Sequence, residues 1–358
     1  MIDAARAAGA YTLAEILSQP RCWDSCLQAL EAHDQLGGVL RQFGAETDWL
    51  FVGCGSSFYV AQVAAASWTA LTGLRARAVP ASDLLLFPEL ILSSARPCQP
   101  VLISRSGHTS EVLKAAEYLE SKRNIRTIAI TCVAGQPLEN LATATLCLLP
   151  ADEKSMVMTR SFSSMLMGLQ LLAAELAHQS FFTEALRKLS RFAQAAFEPL
   201  PERVRHFVEA REFADYVFLA QGPFYGLANE AMLKVKEMSC SYAQCFHTLE
   251  FRHGPKAIVS PDTLVTFLLS ESGYEAEREV LEEVKGLGGI TLVVANASDA
   301  ATRHAADFLV ELNLGVPEYA RLAAYIFPAQ LLGLMTGLKK GLNPDRPRNL
   351  TRTVILKD

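Results

Sequence analysis

DWLFVGCGSS, residues 48–57, runs an apolar segment into a turn of glycine and serine, and the same shape returns as DYVFLAQGPF at residues 215–224, about 167 positions later. The match extends outward from both copies. VLISRSGHTSEVLKAAEYL, from Val101, is echoed by TFLLSESGYEAEREVLEEV, from Thr266, and each leads into a further apolar run, RTIAIT from Arg126 and ITLVVAN from Ile290. These runs read as the first, second and third strands of each half. Short apolar runs alternating with helical patterns predict βαβ units and a parallel sheet covered on both faces. The expected fold class is therefore α/β, with two tandem doubly wound parallel-sheet domains, each a flavodoxin-like αβα sandwich.

The flanking segments fill in the organisation. Residues 1–36 read as a helical lead-in and 37–198 as the first domain. The long helical stretch beginning FSSMLMGLQLLAAELAH at Phe162 is broken by Pro199 and Pro201, which places the start of the second domain, 199–340, at those prolines. AQLLGLMTGLKKGLN, from Ala329, reads as a helix closed by Gly341, and 341–358 form a tail expected to lie over the active site.

Composition narrows the function classes. The chain has 358 residues, half of them hydrophobic, enough for two cored domains. A net charge of -5 and the lack of any long Lys/Arg run argue against a nucleic-acid partner. The first ten residues, MIDAARAAGA, have neither a basic start nor an apolar core, and no later stretch of about 18 residues is uninterruptedly apolar, so a cytoplasmic protein without a membrane partner is expected. Eight cysteines include no CxxC pair and no histidines at zinc-like spacing, so neither a metal nor a disulfide framework is indicated. Cys132 and Cys147, set among apolar residues, read as small core hydrophobes.

In open parallel sheets ligands collect beyond the carboxyl ends of the strands, where loops feed helix N-termini. Two such turns, CGSS at Cys54–Ser57 and SRSGHT at Ser104–Thr109, offer exposed N–H groups, hydroxyls and close backbone approach at glycine, the requirements of an anion seat. Taken singly, serine and threonine before a helix are ordinary caps. The second half is an internal control: its SESG, Ser270–Gly273, puts Glu271 where the first half has Arg105, and Gly-Pro replaces Ser-Ser. One copy is thus suited to bind an anion, the other to carry chemistry. Neither GxGxxG nor GxxxxGK[ST] occurs, so a phosphorylated metabolite is expected rather than a nucleotide, and no cofactor.

The chemistry is expected in LKVKEMSCSYAQCFHTLEFRHGP, Leu233–Pro255, which sets Glu237 on a helix and His253 in a Gly-Pro turn. Both side chains can be tuned to exchange protons near neutral pH. The alternative reading is plain: Glu230, Lys234 and Glu237 fall at helical spacing, and such a stripe is ordinarily a solvated, mutually paired face.

GCGSS, SRSGHT, LKVKE, FRHGP and PDRPRNL, in this order, resemble the double sugar-isomerase (SIS) domain family, which includes the isomerase half of glucosamine-6-phosphate synthase and stand-alone amino-sugar phosphate deaminase/isomerases. The resemblance covers residue 20 to the end. It implies that Ser104, Ser106 and Thr109, with Ser56 and Ser57, hold a sugar phosphate, and Gly55, Arg105, Arg348 and Arg352 complete the expected binding set. It further implies that Glu237 shuttles a proton between C1 and C2, that His253 assists ring opening across a homodimer with shared active sites, and that Lys234 approaches the sugar oxygens. Two departures matter. No cysteine-led glutaminase domain precedes Met1, which is expected to exclude synthesis from glutamine by this chain alone. Arg352 stands where the synthase has an imine-forming lysine, and a guanidinium stays protonated; Lys357, five residues on, is a poor substitute. An amino-sugar 6-phosphate deaminase/isomerase, acting on glucosamine or galactosamine 6-phosphate, is the leading expectation. A ketoamine-6-phosphate deglycase or plain phosphosugar isomerase comes next, and a non-catalytic sugar-phosphate sensor last.

Overall fold

The structure is a computed structural model that describes residues 7–32, 34–43, 48–92 and 97–356; Lys357 lies outside them. Two compact units emerge. One comprises Arg21–Glu153, Arg160–Lys188 and the chain from Thr351 on; the other comprises the chain up to Pro20, Lys154–Thr159 and Leu189–Leu350. Divisions at 36, 198 and 340 would keep each part contiguous, whereas these units exchange segments. The helix Ala10–Leu17 belongs with the second unit for a physical reason: Thr12 donates its N–H and hydroxyl to Asp345 Oδ1 at 2.8 and 2.7 Å, and Gln19 donates to Gln330 Oε1 at 2.8 Å.

The first unit carries β1 (Asp48–Gly53), β2 (Ala76–Pro80), β3 (Cys98–Ile103), β4 (Ile128–Thr131) and β5 (Ala144–Cys147) in the order β2-β1-β3-β4-β5, all parallel. The second carries β6 (Asp215–Ala220), β7 (Ala243–His247), β8 (Thr263–Leu268), β9 (Ile290–Ala295) and β10 (Phe308–Glu311) in the order β7-β6-β8-β9-β10, again parallel. The two sheets repeat one doubly wound topology. The central strands β1, β3, β4, β6, β8 and β9 are almost wholly buried, as expected where helices cover both faces.

One sequence expectation needs correction. The runs at Val101 and Thr266 are the third strands of their halves, not the second, because β2 and β7 precede them. Both are edge strands with largely half-exposed residues, ARAVP and AQCFH, so neither makes the continuous apolar run that marked the central strands.

The helix Phe224–Ser239 follows β6 and packs against the helix Phe327–Lys339 within the second unit. The approach is backbone to backbone. A Cβ on Gly333 would lie 2.9 Å from the Lys234 carbonyl oxygen, and one on Gly337 would lie 2.2 Å from that of Met238. Gly341, at φ +69°, ends the turn after this helix as the sequence suggests. The segment Glu318–Lys339 is long and apolar enough to cross a membrane, but 89% of its apolar window is buried inside the protein, where it serves as core.

Candidate functional site

In the first unit the switch in strand order falls between β1 and β3, the crevice where ligands of such sheets bind. The turn after β1 runs through Gly55, whose φ of +54° and ψ of -127° exclude a side chain, and starts the 17-residue helix Ser56–Thr72. Ser56 and Ser57 occupy its first turn and are 7% and 6% exposed. The turn after β3 brings Ser104 Oγ within 3.2 Å of Thr109 Oγ1, while the Ser106 hydroxyl accepts the His108 N–H at 3.3 Å. Gly107, at φ +61°, permits the bend, and a Cβ there would meet Gln136 Cβ at 2.7 Å. Ser104, Ser106 and Thr109 therefore gather at one turn.

Arg105 is turned to a different task. Its buried guanidinium meets Glu153 Oε2 at 3.2 Å and donates to the Arg352 carbonyl oxygen at 2.9 Å. Glu153 also accepts the N–H and hydroxyl of Ser161 at the start of the helix Arg160–Leu176, where the helix dipole favours a carboxylate. Arg105 thus ties the tail to the serine turn. The tail is fastened twice more, by the Ser110 N–H to the Val354 carbonyl at 3.2 Å and by the Leu356 N–H to Ser110 Oγ at 3.0 Å. Under it lies a cleft of about 330 Å³ lined by Ser106, His108, Gln136, Asp152, Arg352 and Thr353, among others. The Arg352 guanidinium is paired with Asp152. Neither His108 nor Asp152 is singled out by the sequence: His108 sits within SRSGHT, where the hydroxyls and the glycine carry the signal, and Asp152 belongs to no motif.

In the second unit Glu237 stands in the last turn of the Phe224–Ser239 helix, 17% exposed, with Lys234 and Glu230 behind it. The Lys234 ammonium is fully buried, paired with Glu237 and 3.3 Å from the equally buried Glu230 Oε1. Burial opposes its charge, but Glu230 and Glu237 outweigh that cost and hold it above the ordinary lysine range. The mutual pairing expected of the stripe is present, but it is interior and not solvated. Lys234 is accordingly placed to position Glu237. The carboxylate faces a cleft of about 250 Å³ lined also by Cys240, Asn343, Arg346 and Arg348, so Arg348 and Glu237 share one opening. His253 lies elsewhere in this unit, exposed on the turn after the Glu250–Arg252 helix, its N–H bonded to the Glu250 carbonyl at 3.0 Å. It does not line the Glu237 cleft. Among the described residues no group of His, Cys, Asp or Glu could hold a metal ion.

Comparison with known proteins finds a family model, the SIS domain, matching residues 46–175 and 215–336, the two sheets just described. A glutamine–fructose-6-phosphate aminotransferase (isomerizing) of Methanothermobacter thermautotrophicus is 26% identical over 352 residues, 97% of this chain and 58% of that protein. The chain thus spans less than two thirds of the length of such relatives. Among solved structures, a glucosamine-6-phosphate deaminase from Thermotoga maritima is similar at a TM-score of 0.75 and 29% identity, covering 97% of this chain and 100% of that one. A tagatose-6-phosphate ketose/aldose isomerase from Escherichia coli superposes at a TM-score of 0.84 and 23% identity, over 99% of both chains, a likeness of fold.

Proposed function

The chain belongs to the SIS domain family, and on that premise we propose that it is a metal-independent phosphosugar aldose-ketose isomerase, specifically an amino-sugar 6-phosphate deaminase/isomerase. The observation that carries the reading is Glu237: a carboxylate at the mouth of a cleft, fixed from behind by a buried lysine that is itself balanced by a second buried carboxylate. Such a fixed group suits proton transfer between adjacent carbons from a single face.

Ser104, Ser106 and Thr109, with Ser56, Ser57 and the N–H groups after Gly55, hold the phosphate. Glu237 takes the proton from C2 of the open-chain amino sugar and returns it to C1, leaving an imine at C2. Water then adds to that imine and ammonia leaves, giving the ketose phosphate. His253, exposed on its turn, assists ring opening in a neighbouring subunit of a homodimer. Arg348 and Arg352 contact substrate oxygens from the tail. Arg352 stays protonated and forms no imine, which favours hydrolytic release over a lysine adduct.

The test is incubation of the protein with glucosamine, galactosamine and fructosyl-amine 6-phosphates, with assays for ammonia, free amine and ketose phosphate. Ammonia and ketose phosphate from an amino-sugar phosphate support the reading. Tight binding without turnover of any of them overturns it.

A further inference from the structure

The second sheet has its own switch in strand order, between β6 and β8, and a crevice of about 300 Å³ opens there. Its walls include Gln221 and Gly222 after β6, Ser270, Ser272 and Glu277 around the turn after β8, and Glu318 and Tyr319. This is the place that the serine turns occupy in the first half. The loop is also the same loop in sequence, SESG against SRSG.

Its N–H groups, however, already hold an anion that belongs to the chain. Glu318 Oε1 accepts the Glu271 N–H at 2.5 Å and the Ser272 N–H at 3.4 Å, and Oε2 accepts the Ser272 hydroxyl at 2.8 Å. Ser270 gives its N–H and hydroxyl to Glu277, each at 2.8 Å. The ion pair beside the loop is exchanged as well. Where the first half pairs Arg105 with Glu153, the second pairs Glu271 with Arg321 at 2.6 Å, the arginine 4% exposed. Arg321 Nε is buried without a hydrogen-bond partner among the described residues, and so is the Oε1 of Gln221, which lines the crevice. Two consecutive N–H groups and a hydroxyl converging on one carboxylate form the arrangement by which backbone turns bind oxyanions, and a sugar hydroxyl could donate to Gln221.

We propose that this crevice is a second sugar-phosphate seat, built on the plan of the first and held shut by the carboxylate of Glu318. It rests on the reading that the Ser104–Thr109 turn binds phosphate. The chain takes one phosphorylated sugar through its first half, and a second anion site opens when Glu318 is displaced or removed. Removing it takes away one of the three carboxylates around the loop, Glu271, Glu277 and Glu318, and frees three donors for phosphate oxygens.

The experiment uses the full chain and inorganic phosphate at pH 6, with binding followed by ³¹P NMR titration. Ser104→Ala/Thr109→Val removes the first seat, and Glu318→Ala is then added to that background, with near-UV circular dichroism confirming the fold. The added substitution is expected to create one saturable phosphate site per chain, at least about tenfold tighter than in its background, the scale set by charge-assisted hydrogen bonds. Glu318→Gln, which keeps the shape and removes the charge, is expected to give a smaller gain and serves if the alanine variant does not fold. A folded Glu318 variant that binds no more phosphate than its background overturns the proposal. So does equal binding at this crevice with Glu318 in place. Failure of the first-seat reading is separately visible, as equal phosphate binding by the wild type and the Ser104→Ala/Thr109→Val background.

Discussion

Replacing Glu277 with glutamine should stabilise the protein in a pH-dependent way. The carboxyl is completely buried, and burial, with a smaller contribution from Glu318, pushes it up to about 7 against the two hydrogen bonds from Ser270. An unfolded chain leaves the same group near its ordinary value of 4.5. Below that value both states are protonated and the penalty vanishes. As pH rises through the interval the unfolded state ionises first, so stability falls, and above about 7 the cost is full and constant. At roughly 1.4 kcal/mol per pH unit the difference amounts to about 3 kcal/mol. Glutamine keeps an acceptor for the Ser270 N–H and can donate to its hydroxyl, so it removes the ionisation and little else. Urea unfolding of both proteins from pH 4 to 8 is the assay. The variant should gain stability relative to wild type between pH 5 and 7 and hold that gain above. A difference that does not change with pH would refute the reasoning.

Other outcomes follow from the same packing. Lys234→Met strands Glu230 and Glu237 without their counter-charge and should cost about 3 to 5 kcal/mol in urea unfolding, with Glu230→Gln in the same chain restoring a large part. Gly337→Ala drives a methyl group into the Met238 carbonyl, one residue past Glu237; it should lower stability by about 1 to 3 kcal/mol and reduce kcat more than it raises KM. Arg105→Ala releases the tail from the serine turn, so limited trypsin digestion should cut after Arg352 faster than in wild type. Ser104→Ala/Thr109→Val removes two hydroxyls from the turn after β3, and KM for the sugar phosphate should rise by about tenfold or more.

The repeated topology was legible because buried parallel strands write themselves as apolar runs: DWLFVG and DYVFLA each mark the first strand of a half. The edge strands were not, since one exposed flank breaks the run. ARAVP and AQCFH carry no period that distinguishes them from loop. That the candidate residues Ser104, Ser106 and Thr109 share a single turn could be read from the local sequence. The interior setting of Glu230 and Lys234 could not, because the helix packed against theirs comes from about a hundred residues away and approaches its backbone through Gly333 and Gly337. The same limit explains Arg105. Its charge suggested an anion ligand, but its partners Glu153 and the Arg352 carbonyl come from distant parts of the chain. Asp152, against Arg352, is hidden for the same reason.

Glu237 as the base that moves the carbon-bound proton is the central claim, and solvent-deuterium exchange tests it directly. With an amino-sugar 6-phosphate in deuterium oxide, wild type should incorporate deuterium at C1 of the ketose phosphate to the extent that the Glu237 carboxyl exchanges with solvent before it returns the proton. Glu237→Gln should still bind phosphate while exchange falls by about 10² to 10⁴, the range for loss of a general base. Exchange by Glu237→Gln at the wild-type rate would contradict the account and place the base on another residue.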